Sequence, residues 1–288
     1  LEKTYPDVVK AIHQENKGHG GAVMTGIKNA SGKYYKVIDS DDWAFTEDVL
    51  KLVNTIKNVK EDVDLYVVNY IYERIYENSS IVVDYKKYLP QNKVFGWEEM
   101  KKFPVNKVFM MHSLVYRTEV LRKCGLDIPE HTFYVDNYFC YQPLPHCEKL
   151  FYLDLDFYHY FLGRPGQSCT DDNLYKNYAM QIKVADVVFD SYSYDELKKI
   201  NKNLRNYLIH AARAMYLIML IFNAGGKTNV KQRQLDYKEI KHNLKGRDRK
   251  LYNKAVTFFP IVLMRVRPWC IRRSFARFSM KIRSKLSL

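Results

Sequence analysis

Residues 37–42 read Val-Ile-Asp-Ser-Asp-Asp, an apolar run that ends abruptly in carboxylates. The stretch leading in, Tyr34-Tyr35-Lys36-Val37-Ile38, is rich in aromatic and β-branched side chains, which favour an extended chain. A strand is therefore expected to end at Asp39, with Ser40, Asp41 and Asp42 following at once. Carboxylates this close repel one another unless a cation sits among them. Oxygen ligands of this kind suit Mg²⁺ or Mn²⁺, ions often shared with substrate phosphates. In open α/β sheets, ligands gather at the carboxyl ends of strands. An exposed acidic turn capping the next helix is the alternative that these six residues alone leave open.

The residues before the strand narrow the choice. Asn16-Lys17-Gly18-His19-Gly20-Gly21-Ala22 is a glycine-rich turn, followed by a short helical stretch over residues 23–30 and then Ser31-Gly32-Lys33. The ordered small residues Asn16, Gly18, Gly20, Ala22, Gly26, Ala30 and Gly32, then Tyr34 and the acids Asp39, Asp41 and Asp42, resemble the nucleotide-sugar half of family 2 glycosyltransferases with the GT-A fold. The resemblance is strong over residues 12–70, weaker to about 170 and absent beyond. It implies an α/β chain with a Rossmann-like mixed sheet flanked by helices, followed by a helical C-terminal region. Two departures stand out. Met24 occupies the place where that family carries an asparagine, which concerns one polar contact near the sugar nucleotide. The chain opens at Leu1 without the family's first βαβ unit, so an N-terminally truncated copy is expected.

The resemblance also assigns roles. Asn16, Gly18, Gly20 and Asp39 match positions that hold the nucleotide sugar, with Asp39 facing the ribose. Asp41 matches the main ligand of Mn²⁺ or Mg²⁺, with Asp39 and Asp42 beside it. Asp136, in Glu130-His131-Thr132-Phe133-Tyr134-Val135-Asp136-Asn137, matches the carboxylate that takes the proton from an acceptor hydroxyl. It lies roughly 95 residues after the acid cluster, where a helix-capping role is the plainer reading of a lone carboxylate. The family more often shows Glu-Asp where this chain has Val135-Asp136. Arg164, after the aromatic segment 149–162, matches a basic residue that can hold the diphosphate. The resemblance also allows His159 to approach the metal, although an ordinary strand residue is the plainer reading. The implied reaction is inverting transfer of a sugar from a nucleotide diphosphate, most plainly a UDP-sugar, to a carbohydrate or lipid-linked acceptor in bacterial cell-surface synthesis.

Composition bounds what remains. A 288-residue chain with 47% hydrophobic residues can bury one good core and a smaller second one. Residues 1–168 are expected to form the partial glycosyltransferase domain and 169–288 a helical region, broken at Gly225-Gly226. Five scattered cysteines without a Cys-x-x-Cys pair argue for reduced thiols and a cytoplasmic setting, and against a zinc site. The longest apolar runs, about residues 214–222 and 256–264, read as too short to cross a bilayer, the first being a buried helix.

Net charge is +14, and residues 260–288 carry eight Lys/Arg and no acid. Apolar residues Ile261, Met264, Trp269, Phe275 and Phe278 interleave with those cations at roughly helical spacing. This suits a helix lying on an anionic membrane surface, hence a peripheral position at the inner face of the cell membrane. A nucleic-acid tail and a solvated tail are the rival readings; no nucleic-acid partner is expected.

Other classes fit less well. A dehalogenase-like phosphatase also sets Asp-x-Asp after a strand, but Trp43 stands where it needs Thr or Val. A basic RNA-binding module leaves the acid cluster unexplained. An inactive relic of the glycosyltransferase fold, kept as an interaction module, is the serious alternative.

Overall fold

The computed structural model describes residues 1–163, 167, 170–226, 228–266 and 268–286. Its strands are β1 (Tyr34–Tyr35), β2 (Leu65–Arg74), β3 (Ser79–Val83), β4 (Val94–Phe95), β5 (Leu114–Arg117) and β6 (Leu150–Phe161). They form one mixed sheet in the order β1-β5-β2-β6-β4, with β3 paired to β2 outside that order. Helices α1 (Gly18–Asn29), α2 (Thr46–Asn58), α3 (Thr118–Lys123) and α4 (Asp136–Phe139) are interspersed with the strands. Eight more follow the sheet: α5 (Asp171–Lys176), α6 (Tyr178–Ser191), α7 (Tyr194–Leu197), α8 (Lys202–Gly225), α9 (Val230–Arg247), α10 (Arg249–Val256), α11 (Phe259–Val266) and α12 (Trp269–Leu286). A mixed sheet flanked by helices and followed by a helical region is the architecture the sequence led us to expect.

The centre of the sheet is the parallel pair β2–β6, with Leu65 opposite Leu150 and Tyr72 opposite Tyr160. A strand with parallel neighbours is covered on both faces and reads as a continuous apolar run, as Leu65 to Ile71 does apart from Asn69. Side chains alternate between the faces. Leu65 and Val67 join the larger core with α6 and α8, while Tyr66, Val68 and Tyr70 join a smaller one with Leu52 of α2. Asn69 is buried, and its amide donates to Asp154 (2.7 Å) and Asp156 (2.9 Å).

Two strands are shorter than their composition predicts. β1 stops at Tyr35 because Lys36 turns inward and its Nζ donates to the Met111 (3.1 Å) and His112 (2.7 Å) carbonyls. The apolar run over 109–116 reads in sequence as a strand, but residues 111–113 form a turn of 3₁₀ helix and the strand begins only at Leu114. The helix expected over 23–30 instead starts at Gly18.

The helical region is organised by α8. Asn201 caps its start, its side-chain oxygen accepting from the Asn203 and Leu204 amides. Tyr207 accepts from the Phe109 amide (2.9 Å), and Asn203 donates to the Glu98 and Met100 carbonyls, which fastens the helix to the segment between β4 and β5. At 24 residues α8 is long and apolar enough to cross a bilayer, which the short apolar runs of the sequence had not suggested. Here 61% of its most apolar window is covered by the protein's own side chains. At its carboxyl end, buried Arg233 of α9 donates to the Phe222, Asn223, Thr228 and Tyr175 carbonyls and lies 3.9 Å from the Tyr178 ring. A buried guanidinium is tolerable because those carbonyls satisfy its donors. That contact sets the turn from α8 into α9.

The amino end of α1 is seated by two glycines. Gly18 has φ +72°, a conformation open to glycine at little cost, and the Asn16 side chain accepts from its amide (2.8 Å). Gly20 lies against the turn before α4: a Cβ there would meet Ile128 Cγ2 at 2.5 Å and the Pro129 carbonyl at 2.8 Å. The Lys17 carbonyl accepts from the His131 amide (2.9 Å) across the same joint. Gly20→Ala should therefore force the two segments apart and lower stability by about 1–3 kcal/mol, the usual cost of overpacking. A thermal melt checks this; an unchanged Tm would show that the joint yields freely.

Candidate active site

The acid cluster lies at the carboxyl end of β6. Asp42 is anchored there: its carboxylate accepts from the Tyr158 hydroxyl (2.6 Å) and from the Phe161 amide (2.9 Å). Tyr158 also accepts from the Asp39 amide (3.1 Å), and Trp43 exchanges backbone hydrogen bonds with His159. One tyrosine thus ties the Asp42 carboxylate to the Asp39 backbone. His159 is held by Glu73 (2.7 Å) and stacks on Trp43, as a structural strand residue would.

Ligand atoms of Asp39, Asp42 and His112 lie within 4.8 Å of one another. His112 was not foreseen, because its stretch reads as an ordinary strand. Its ring stacks on Tyr158 and Tyr160 and is buried, and its Nδ1 has no hydrogen-bond partner among the described residues. Burial, then the nearby Lys36 charge, push its pKa down to about 3, so the imidazole is neutral and able to donate a lone pair. Two carboxylates and a neutral imidazole with an orphaned nitrogen fit a divalent cation. Asp41 is in the same turn but outside this trio.

Three groups tune the charge here. Lys36 is forced down to about 7 by burial, with Asp39 and Asp42 partly opposing that. His19, at the start of α1, bonds Asp39 through Nε2 (3.0 Å). Its pKa is raised by that bond against the opposing effect of burial, with further help from the charges of Asp39 and Asp136. Asp42 is raised to about 6, chiefly by burial.

Asp136 opens α4 next to this cluster. Burial pushes its carboxyl above the ordinary range, and the His19 charge partly opposes that. The Asn137 side chain donates to it at 3.4 Å. His19 therefore stands electrostatically between Asp39 and Asp136. The α1–Ile128 joint produces this arrangement, because it sets the start of α1 against the turn that leads into α4.

Other residues singled out from sequence have structural partners. Asn16, Gly18 and Gly20 build the turn at the start of α1. Met24 is half-buried and packs against the larger core. Arg164 lies outside the described residues. His19, Lys36 and Tyr158 join His112 as site residues that sequence reasoning missed. Lys36 alone carried a signal, being a charge inside the aromatic and β-branched run that ends at Ile38.

Residues 1–124 match the profile of glycosyl transferase family 2. Glycosyltransferase GlyA of Streptococcus pneumoniae serotype 4 is 28% identical over 167 residues, covering 52% of this chain and 22% of that protein. The putative glycosyltransferase EpsH of Bacillus subtilis strain 168 is 28% identical over 170 residues, covering 52% of this chain and 44% of that one. The chain thus spans less than half the length of these curated relatives. The crystal structure of S. aureus TarS 1–349 superposes with a TM-score of 0.60 at 12% identity, covering 97% of this chain and 77% of that one, a likeness of fold.

The raised Asp42 makes a pH prediction. Its folded pKa of about 6 exceeds the usual aspartate value of about 3.9. A carboxyl raised on folding contributes stability that is full below the unfolded value and is lost as pH rises through the folded one. In EDTA, the wild type should gain Tm relative to Asp42→Asn as pH falls from about 7.5 to about 5. Parallel pH profiles for the two proteins would contradict the assignment.

Proposed function

We propose that this chain is a family 2 glycosyltransferase that moves a sugar from a nucleotide-diphosphate donor to a hydroxyl acceptor, with inversion at the anomeric carbon. The family match over residues 1–124 supports the transferase reading. The observation that carries it to a site is the meeting of the Asp39–Asp42–His112 trio with Asp136 on either side of His19.

The chemistry asks two things of the protein. Negative charge grows on the departing diphosphate, and an acceptor hydroxyl must lose its proton. Asp39, Asp41, Asp42 and His112 are the proposed holders of Mn²⁺ or Mg²⁺, which when bound would neutralise the diphosphate charge. Asp39 also faces the ribose in this reading, and Asn16, Gly18 and Gly20 line the nucleotide side. Arg164 is proposed as a further diphosphate contact. Asp136 takes the acceptor proton and aims the oxygen at the face opposite the leaving group. A carboxyl raised above its ordinary range is a stronger base for that step. His19 offsets part of the repulsion between Asp136 and Asp39. UDP-sugars are the proposed donors, and carbohydrate or lipid-linked acceptors of bacterial polysaccharide or glycolipid synthesis the proposed partners. We place residues 1–168 as the catalytic part and 169–288 as the helical part of this reading.

A cytoplasmic setting at the inner membrane face belongs to the same proposal. Ile261, Met264, Ala276 and Met280 of the basic tail are buried within the protein, which leaves Phe259, Ile271 and Phe278 exposed among the tail's cations. That surface is the proposed contact with anionic lipid.

Asp136→Asn should leave nucleotide-sugar binding nearly intact and cut turnover by about 10²–10⁴-fold, the usual worth of general-base catalysis. Turnover and donor affinity measured side by side against a panel of nucleotide sugars check this. Wild-type turnover in the variant would move the base elsewhere, with Glu130 the next candidate.

Asp41→Asn separates two arrangements of the cation. If Asp41 is the main ligand, the variant should abolish metal-stimulated transfer; if the trio alone holds the ion, His112→Ala should do so instead. Full transfer in EDTA by the wild type would remove the cation from the account altogether.

A further inference from the structure

A groove of about 800 Å³ runs between α9 and the turn joining α11 to α12. Its lining holds Lys231, Lys238, Lys241 and Lys245 from α9, with Arg265 and Arg272 opposite, and no Asp or Glu. We propose that this groove binds a linear polyanion carrying several phosphate groups.

The lysine stripe follows from helical spacing. Positions 231, 238, 241 and 245 share one side of α9, while Arg233, Tyr237, Ile240 and Leu244 point into the protein. Lys238 and Lys241 (i,i+3) and Lys241 and Lys245 (i,i+4) repel one another, which destabilises a helix, and Lys231 adds its charge two turns away on the same side. Among the described residues no ion pair relieves them, and all four are exposed. Asp236 of the same helix is engaged elsewhere, by the Tyr178 hydroxyl (2.6 Å) and the Gln232 amide (2.7 Å). The stripe extends over about 21 Å at 1.5 Å per residue.

The opposite wall is held firmly. The Arg272 guanidinium lies 4.3 Å from the Tyr237 ring and donates to the Arg265 carbonyl (2.7 Å), while Trp269 meets Tyr237 edge-on at 6.4 Å. Arg233 fixes α9 at its other end, so the groove is built before any ligand arrives.

Its shape and chemistry choose among anions. Lysine ammoniums act as point charges for phosphate, and a stripe of them matches charges repeated along a chain. A bilayer surface is flat and does not fill a concave groove. Nucleic acid binders offer aromatic faces for stacking, whereas Trp269 is half-buried against the core with its Nε1 enclosed. Groove volumes of a few hundred to about 1,000 Å³ are those of ligand sites.

The test uses inorganic polyphosphate of about 15 units as the probe, titrated calorimetrically into the full chain. Saturable binding should weaken at least 10-fold in Lys238→Gln/Lys241→Gln/Lys245→Gln. A control with the same charge change elsewhere, Lys28→Gln/Lys57→Gln/Lys60→Gln, should change it less than 2-fold. Affinity should also fall as salt screens the charges. Phosphatidylglycerol vesicles separate the sources of phosphate: vesicles held equally by the groove and control variants would leave a soluble chain as the ligand, and vesicles released by the groove variant alone would identify a flat lipid surface as the ligand and overturn the proposal. No saturable polyphosphate binding, equal losses in the groove and control variants, or vesicle binding without polyphosphate binding would each overturn the proposal.

Discussion

The candidate site depends on a contact that contains no charge. Gly20 lets the amino end of α1 lie directly against Ile128 and Pro129, and the Lys17–His131 backbone hydrogen bond closes the joint. The contact joins chain segments more than 100 residues apart. On one side it carries His19 to Asp39; on the other it leads within a few residues to Asp136. Any side chain larger than glycine at position 20 would widen the gap, and the carboxylate next to the cluster would move with it.

Around that joint the protein gathers negative charge and restrains it. Asp39 is bonded to His19, Asp42 to Tyr158 and the Phe161 amide, and Lys36 lies beneath both. The restraint is incomplete: burial still pushes Asp42 and Asp136 upward, so both carboxylates sit in surroundings that favour added positive charge. A raised carboxyl beside a lowered one would let one site separate the proposed roles of base and ligand. Burial holds Asp136 up while the His19 bond helps hold Asp39 below its ordinary range.

Much of this was legible in the chain. The acid cluster after an apolar run and the glycine-rich turn before it announced a mixed sheet flanked by helices, and the helical region that follows was expected too. The register of that reading was less secure. The first strand was expected to reach Ile38, but a lysine inside it turned inward and ended it at Tyr35. His112 was hidden because nothing local distinguishes it: only the sheet order, which sets β5 beside β2 and β2 beside β6, brings it to Tyr158 and Asp42. His19 passed as a spacer between glycines. The tail's interleaved apolar and basic residues led to the expectation of an amphipathic helix on an anionic membrane surface, and in the structure α12 of this tail packs against α8. The overall apolar character of α8 was not foreseen because polar residues such as Asn206 and Arg213 interrupt its apolar runs.

The central claim is that the cluster around Asp39 is a working cation and diphosphate site, and binding of Mn²⁺ tests it without knowledge of sugar or acceptor. Electron paramagnetic resonance of free Mn²⁺ should show about one ion taken up per chain, tightened by UDP and lost in Asp39→Asn/Asp42→Asn. Uptake that is unchanged in that double variant, or indifferent to UDP, would contradict the account.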